Sequence, residues 1–206
     1  MSSMFPLAMS RALRIGHAIA WSCAALVLGV GSAWWVVKKM PADSQTIRVG
    51  AWQTSTLAGS PDADMYTRAR IAVSALLALG RAETMYFFTT TDDAGNPLRS
   101  RCTYRVSGVP PKARWWSVTA YADDFFLFDA TNGHYSLNGT NAKLDANGKF
   151  AFTTSAQEQA DTYWIPTPGD RGLVLTLRLY NPEPVLQNNP ASLLAPSIVA
   201  LGDCLP

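Results

Sequence analysis

Histidine and cysteine set the first limits on chemistry. There are two histidines and three cysteines in 206 residues. His17 and Cys23 fall within or beside a long apolar run, so His134, Cys102 and Cys204 are left for the rest of the chain. A Ser-His-Asp triad would have to use His134. A site with two or more histidine ligands would need an oligomer interface, and two cysteines cannot close a structural zinc site. No glycine-rich phosphate loop, dinucleotide fingerprint or G-x-S-x-G elbow occurs. No metal and no cofactor are therefore expected.

Carboxylates remain. Glu83, with Arg68 or Arg178 as partners, and the adjacent Asp123 and Asp124 are the candidates for acid-base work on a glycoside or similar bond. The plainer reading makes Asp123-Asp124 a turn and the Glu/Arg pairs structural. Asp92, Asp93 and Asn96 around Gly95 suggest a cation loop, but the spacing misses an EF-hand and fits a polar turn. Cys102 and Cys204 form an even pair, and outside the cytoplasm a disulfide between them is favoured.

These residues must be positioned by elements that the pattern suggests. Ala18 to Val37 carries no charge over 20 residues, about 30 Å of helix, the thickness of a bilayer core. Trp21 lies near one end and Trp34 and Trp35 near the other, as interfacial aromatics do. We expect an uncleaved signal-anchor in the inner (cytoplasmic) membrane, single-pass, with the large domain on the periplasmic or extracytoplasmic side. Two other arrangements stay open: a signal peptide cut after Gly31-Ser32-Ala33, and a large domain kept in the cytoplasm. Two basic residues flank each side of the run, so charge decides little. Residues 1–39 hold four basic and no acidic residues; the remainder holds 13 basic against 15 acidic. The slightly acidic bulk argues against nucleic acid as partner.

The expected division is a short cytoplasmic N-terminus at 1–17, a transmembrane anchor at 18–37, a linker at 38–59 and a β domain at 60–206. The linker holds at most one short strand, Thr46–Trp52. Ser60-Pro61 reads as a helix start, and apolar spacing predicts an amphipathic helix over Pro61–Leu79 that stops at Gly80. Strands follow. Met85–Thr91 and Leu98–Val106 read as a hairpin about the Asp92–Pro97 turn. Arg114–Tyr121, Phe125–Asp129, His134–Asn138, Lys149–Ser155 and Leu173–Tyr180 complete the set, the last with leucine at every second position. Asn181–Pro206, rich in proline, reads as an irregular surface tail. Seven or eight short strands without βαβ alternation predict a mainly β fold, an antiparallel jelly-roll-like sandwich with one flanking helix.

The aromatic segments then gain a context. Ala113-Arg114-Trp115-Trp116-Ser117-Val118-Thr119-Ala120-Tyr121 resembles the A-x-[FW]-W-S-x-T-x-Y signature of the DUF1214 family, a domain of unknown function. Arg68-Ala69-x-x-Ala72, Glu83-x-x-Tyr86, Asp93-x-Gly95-x-Pro97-Leu98, Tyr135-Ser136 and Asn147-Gly148 agree in order. Trp164-Ile165-Pro166-x-Pro168 is similar to the family's W-L-P-x-P, and Arg178-Leu179-Tyr180-x-Pro182 to its R-L-Y-x-P. The likeness spans about residues 46–200. Tyr163 departs from it where an Asn usually precedes the Trp, and Asn181 where an aromatic often follows the Tyr. The resemblance implies a jelly-roll-like β domain and carries no established activity and no catalytic residues.

Trp116, Tyr121, Trp164, Arg178, Tyr180 and Glu83 are the candidate binding residues, since aromatic side chains on a sheet stack on sugars or anchor partners. The competing reading places each tryptophan and tyrosine in the core. The expectation is a non-catalytic envelope domain that binds a glycan, a lipid or a protein. Homo-oligomer assembly through the sandwich is a further option, and a carboxylate-dependent hydrolase acting on envelope material is the alternative.

Overall fold

The structure is a computed structural model that describes residues 11–39, 46–73 and 79–202. The chain divides into two units, Met1–Pro41 and Ala42–Pro206.

In the first unit, helix α1 runs over Arg11–Lys39. Its stretch Leu13–Val36 is long and apolar enough to cross a membrane and buries nothing within the chain. At 1.5 Å per residue these 24 residues span about 36 Å. The helix is consistent with a single-pass anchor or with a signal sequence. It runs past the uncharged 18–37 segment at both ends because arginine, lysine and leucine there are good helix formers.

The second unit is mainly β, built of two sheets. The strands are β1 (Thr46–Val49), β2 (Trp52–Ser55), β3 (Thr84–Thr89), β4 (Thr103–Gly108), β5 (Ala113–Ala122), β6 (Ser136–Asn138), β7 (Phe150–Ser155), β8 (Trp164–Pro166), β9 (Leu173–Pro182) and β10 (Ser197–Leu201). One sheet has the order β1-β2-β3-β9-β5-β6 and is antiparallel throughout. The other has the order β10-β4-β7-β8, and its β7–β8 pair is parallel. Helix α2 (Met65–Val73), helix α3 (Pro184–Asn188) and the 3-10 turn Pro190–Ser192 complete the described elements.

Alternation builds the core. On β9, Leu173, Leu175, Leu177 and Leu179 are all buried, and they meet Met85 and Phe87 of β3 and Trp116, Val118 and Ala120 of β5. Tyr104, Val106, Phe150, Phe152, Ile165 and Ile198 come from the second sheet. Burying a Leu or Phe side chain contributes about 1.5–3 kcal/mol, so this apolar layer is what holds the sheets together.

Several expectations need correction. Within the 38–59 segment residues 46–55 form two strands rather than one: Gly50, at φ +60°, turns β1 back onto β2, and Trp52 of β2 is a core residue whose indole N–H donates to the Pro196 carbonyl at 2.7 Å. The helix begins at Met65, not Pro61, because Asp64 caps it. The Asp64 carboxylate accepts from the backbone N–H groups of Tyr66 (2.8 Å) and Thr67 (3.1 Å), whereas Ser60 serves only a local turn through Asp62 N–H. The Thr67 hydroxyl and these backbone donors hold the Asp64 carboxyl below its ordinary pKa. The glycine that the backbone demands is Gly59, at φ +72°, where an added Cβ would lie 2.3 Å from the Leu79 carbonyl oxygen; Gly80 has no positive φ.

The 85–106 hairpin does not form. The Asp92–Pro97 turn exists, with Asp92 N–H donating to the Asn96 carbonyl and the Asp92 carboxylate accepting from Asn96 N–H. Beyond Leu98 the chain crosses to the other sheet: Ser100 N–H donates to Arg171, the Ser100 hydroxyl to Gly169, and β4 pairs with β10 and β7. Asp93 is also occupied, by Ile198 N–H at 3.0 Å, so the suspected cation loop is a structural turn. Phe125–Asp129 is not a strand; only the bridge Tyr121–Leu127 forms there. The tail is not irregular. Pro184 and Pro190 start short helical turns, Leu186, Leu193 and Ile198 are buried, and β10 edges the second sheet.

Candidate functional site

Along β5, Trp116, Val118 and Ala120 point to the core, so Trp115, Ser117, Thr119 and Tyr121 occupy the outer face of the six-stranded sheet. The same alternation puts Thr176, Arg178 and Tyr180 of β9 and Thr84, Tyr86 and Phe88 of β3 on that face. Register aligns them in rows. Tyr86, Arg178, Ser117 and Asn138 stand opposite one another across four strands; Phe88, Thr176, Thr119 and Ser136 form the next row. Thr84, Tyr180 and Trp115 form the row on the other side. Three separate sequence motifs therefore converge here, each contributing alternate residues.

Arg178 is the centre of this face. Its guanidinium donates to the Tyr121 hydroxyl at 3.0 Å and to the Thr119 hydroxyl at 3.3 Å, and lies 5.3 Å from the centroid of the Tyr121 ring. It is half-buried, and no carboxylate among the described residues pairs with it. Beside it, the Thr176 and Thr84 side chains are 0% and 1% exposed, and among the described residues neither hydroxyl has a hydrogen-bond partner. A buried hydroxyl left unpaired costs about 1–3 kcal/mol. Phe125 approaches the face edge-on to Phe88 at 6.3 Å and tilted against Tyr121 at 6.5 Å, with φ at +64°. A bulky residue in that region is strained, and such strain gathers at functional sites. Trp115 and Tyr180 pack at 5.3 Å in the adjoining row.

Of the residues expected to bind, the structure thus brings together Tyr121, Arg178 and Tyr180. Glu83 is exposed just before β3, one residue from this face; its carbonyl accepts from Asn181 N–H at 2.7 Å and its carboxylate has no ion pair among the described residues. Asn181 itself sits at φ +44°, a left-handed conformation that Asn tolerates better than an aromatic. Trp116 belongs to the core, 4.6 Å from the Phe150 ring. Trp164 is on β8 in the other sheet, half-buried, its indole N–H donating to Ser155 at 3.0 Å. Cys102 is buried beside β4, and Cys204 lies outside the described residues. Sequence reasoning missed Thr84, Ser117, Thr119 and Thr176, although the period-2 pattern through Tyr121 and Arg178 already places three of them on the same side.

The acid-base candidates do not assemble. Arg68 is spent on the carbonyls of Ala63 and Pro61, both at 2.8 Å. Asp123 and Asp124 both engage Arg171, and Phe126 N–H and Arg171 hold Asp124 below the ordinary carboxylate pKa. A general acid requires the opposite shift. The ring nitrogen of His134 lies 3.2 Å from the Trp164 carbonyl and from the Asn132 amide, with no serine hydroxyl or carboxylate bonded to it among the described residues. Among those residues no three His, Cys, Asp or Glu side chains cluster as metal ligands.

A face built from these motifs belongs to a known class. Residues 83–184, about half of the chain, match the family described as Protein of unknown function (DUF1214), and through this segment the chain belongs to that family. The matched segment runs from the threshold of β3 to the end of β9 and so contains every row just described. Among solved structures the chain is similar to the VPA0106 protein from Vibrio parahaemolyticus, with a TM-score of 0.56 and 19% identity over 97% of this chain and 47% of that one. It also aligns with an uncharacterized protein from Burkholderia cenocepacia, with a TM-score of 0.43 and 14% identity over 95% of this chain and 54% of that one. The chain thus spans about half the length of the solved structures it matches; the first likeness establishes the fold. No curated protein matches.

Proposed function

We propose that this chain is a membrane-tethered binding module of the cell envelope whose Arg178 face captures a ligand bearing a carboxylate or comparable anionic group. The observation that carries it is Arg178: among the described residues this half-buried cation is met by neutral hydroxyls and by no carboxylate. A half-buried charge without a counter-ion is costly, and an anion that accepts from Arg178 would relieve that deficit. The envelope ligands that fit are acidic glycans, lipid acids and protein carboxylates. The check is thermal unfolding of the full detergent-solubilised chain with a panel of hexuronates, fatty acids and C-terminal peptides. At ligand concentrations of about 100 Kd, binding to the native state adds about 2.7 kcal/mol. We expect one acid class to raise Tm and its amide counterpart to leave it unmoved; equal shifts from acid and amide would defeat the reading.

We place the β unit on the periplasmic side of the inner membrane, with α1 as a retained single-pass anchor. Its support is the bilayer-length helix with tryptophans toward its ends. The same placement suggests a Cys102–Cys204 disulfide. Leu201 pairs with Thr103, so the register sets the start of the C-terminal segment beside Cys102, and Cys204 follows three residues later. Such a bridge closes a loop of about 100 residues, worth roughly 4–5 kcal/mol by chain entropy. One measurement tests compartment and bridge together. In chain isolated from membranes without reductant, Cys23 alone is expected to alkylate, and reduction should add two hydrogens to the mass and free two more thiols. Three alkylatable thiols before reduction would remove the bridge and weaken the placement.

A further inference from the structure

We infer that a second site, a groove of about 580 Å³ on the outer side of the four-stranded sheet, binds an acidic oligosaccharide. The groove is separate from the Arg178 face and does not depend on the reading given to it. Its wall draws on four segments far apart in the sequence: Arg105 from β4, His134 from the β5–β6 loop, Lys143 and Lys149 from the β6–β7 loop, and Asp161 to Tyr163 from the β7–β8 loop.

Its charges are unusual. Arg105, Lys143 and Lys149 line it together with Asp145 and Asp161, yet among the described residues none of the five forms an ion pair. All five side chains are exposed at the groove. The Asp145 carboxylate accepts from the backbone N–H groups of Lys149 and Asn147, both at 2.8 Å, which fixes the turn and holds the carboxyl below its ordinary pKa. It stays ionised and its orientation is set. The aromatic wall is equally fixed. The Tyr163 hydroxyl donates to the Ser136 carbonyl at 3.0 Å and accepts from the Asn141 amide at 2.9 Å, and its ring stacks on His134 at 4.6 Å and 14°.

The mixture of groups selects the ligand. A bare phosphate would meet the three cations but also two carboxylates that repel it. A neutral sugar would use the carboxylates and leave three cations without anions. A sugar chain with acid groups supplies both, since its hydroxyls donate to Asp145 and Asp161 while its anionic groups accept from Arg105, Lys143 and Lys149. The half-buried Tyr163 and His134 rings offer the apolar surface on which sugar faces rest. The volume lies within the range of small-ligand sites.

The test titrates full-length detergent-solubilised chain with trigalacturonate, with maltotriose as the uncharged comparison. Trigalacturonate is expected to bind and maltotriose not to. Affinity should fall as salt rises from about 0.05 to 0.3 M, as screening requires. Lys143→Ala, Lys149→Ala and Arg105→Ala should each weaken binding about tenfold or more, the worth of one charge-assisted contact. Lys143→Arg should retain binding, and all of these titrations are made in the Arg178→Met background, which removes any contribution of the other face. Salt dependence and the Lys143→Arg result stand even if an alanine variant misfolds. Equal binding of maltotriose, no weakening in any of the three alanine variants, or binding to phosphatidylglycerol vesicles without binding to trigalacturonate would each overturn the inference.

Discussion

Replacing Arg178 with methionine is expected to abolish capture of the anionic ligand while leaving the fold intact. Methionine keeps an unbranched apolar stem like that of arginine on the sheet and removes the charge. The lost contact is charge-assisted, so binding should weaken roughly 10- to 100-fold. Stability should hardly move. Of the two hydrogen bonds that vanish, one leaves the half-exposed Tyr121 hydroxyl able to turn to water and the other leaves the buried Thr119 hydroxyl unpaired, a cost offset by removing an uncompensated cation from the sheet. A change in Tm under about 2 °C is the expected outcome for a unit of this size. A drop of 10 °C or more with ligand binding preserved would mean that Arg178 serves the fold rather than a ligand. Calorimetric unfolding and a binding titration on the same samples separate the two.

Trp116→Ala should do the reverse. Trp116 is 5% exposed and its ring packs 4.6 Å from that of Phe150, so it joins the two sheets through their shared core. Truncating a buried tryptophan costs about 3–5 kcal/mol, from lost transfer energy and the cavity left behind. The corresponding fall in Tm is roughly 6–20 °C. Trp164→Ala, at a half-buried ring whose indole N–H bonds Ser155, should cost distinctly less. If the two variants lost equal stability, the assignment of Trp116 to the core and Trp164 to the rim would be wrong.

The contrast between these two tryptophans shows how far the sequence could be read. Strands β5 and β9 were legible because leucine, tryptophan and threonine alternate strictly along them, and the same alternation already sorts Trp116 from Tyr121. The supposed hairpin at 85–106 failed for a local reason. A tight turn such as Asp92–Pro97 looks the same whether the chain after it returns to its neighbour or crosses to another sheet. What decides is Ser100, whose bonds to Gly169 and Arg171 reach about 70 residues along the chain. The tail was misread because proline was counted as a breaker, although Pro184 and Pro190 stand at the first turn of short helices, where a missing N–H costs nothing. The Arg178 face was half visible, through motif residues two apart. The second groove was invisible, since its cations come from β4 and from loops tens of residues downstream, and no spacing rule connects them.

The place of β9 in the six-stranded sheet sets the order in which the unit can fold. It joins β3 to β5, pairing with both along most of its length. Until residue 182 has been made, β1 to β3 and β5 to β6 are two fragments, each with an open edge and a bare leucine-seeking surface. Closing them requires contacts between residues about 90 apart, the kind of pairing that makes β folds slow. Exposed edges and slow closure together invite pairing with other chains. The nascent unit is therefore at greatest risk of aggregation before its last long strand arrives, and a helix that holds the chain at a membrane would keep such fragments apart from one another.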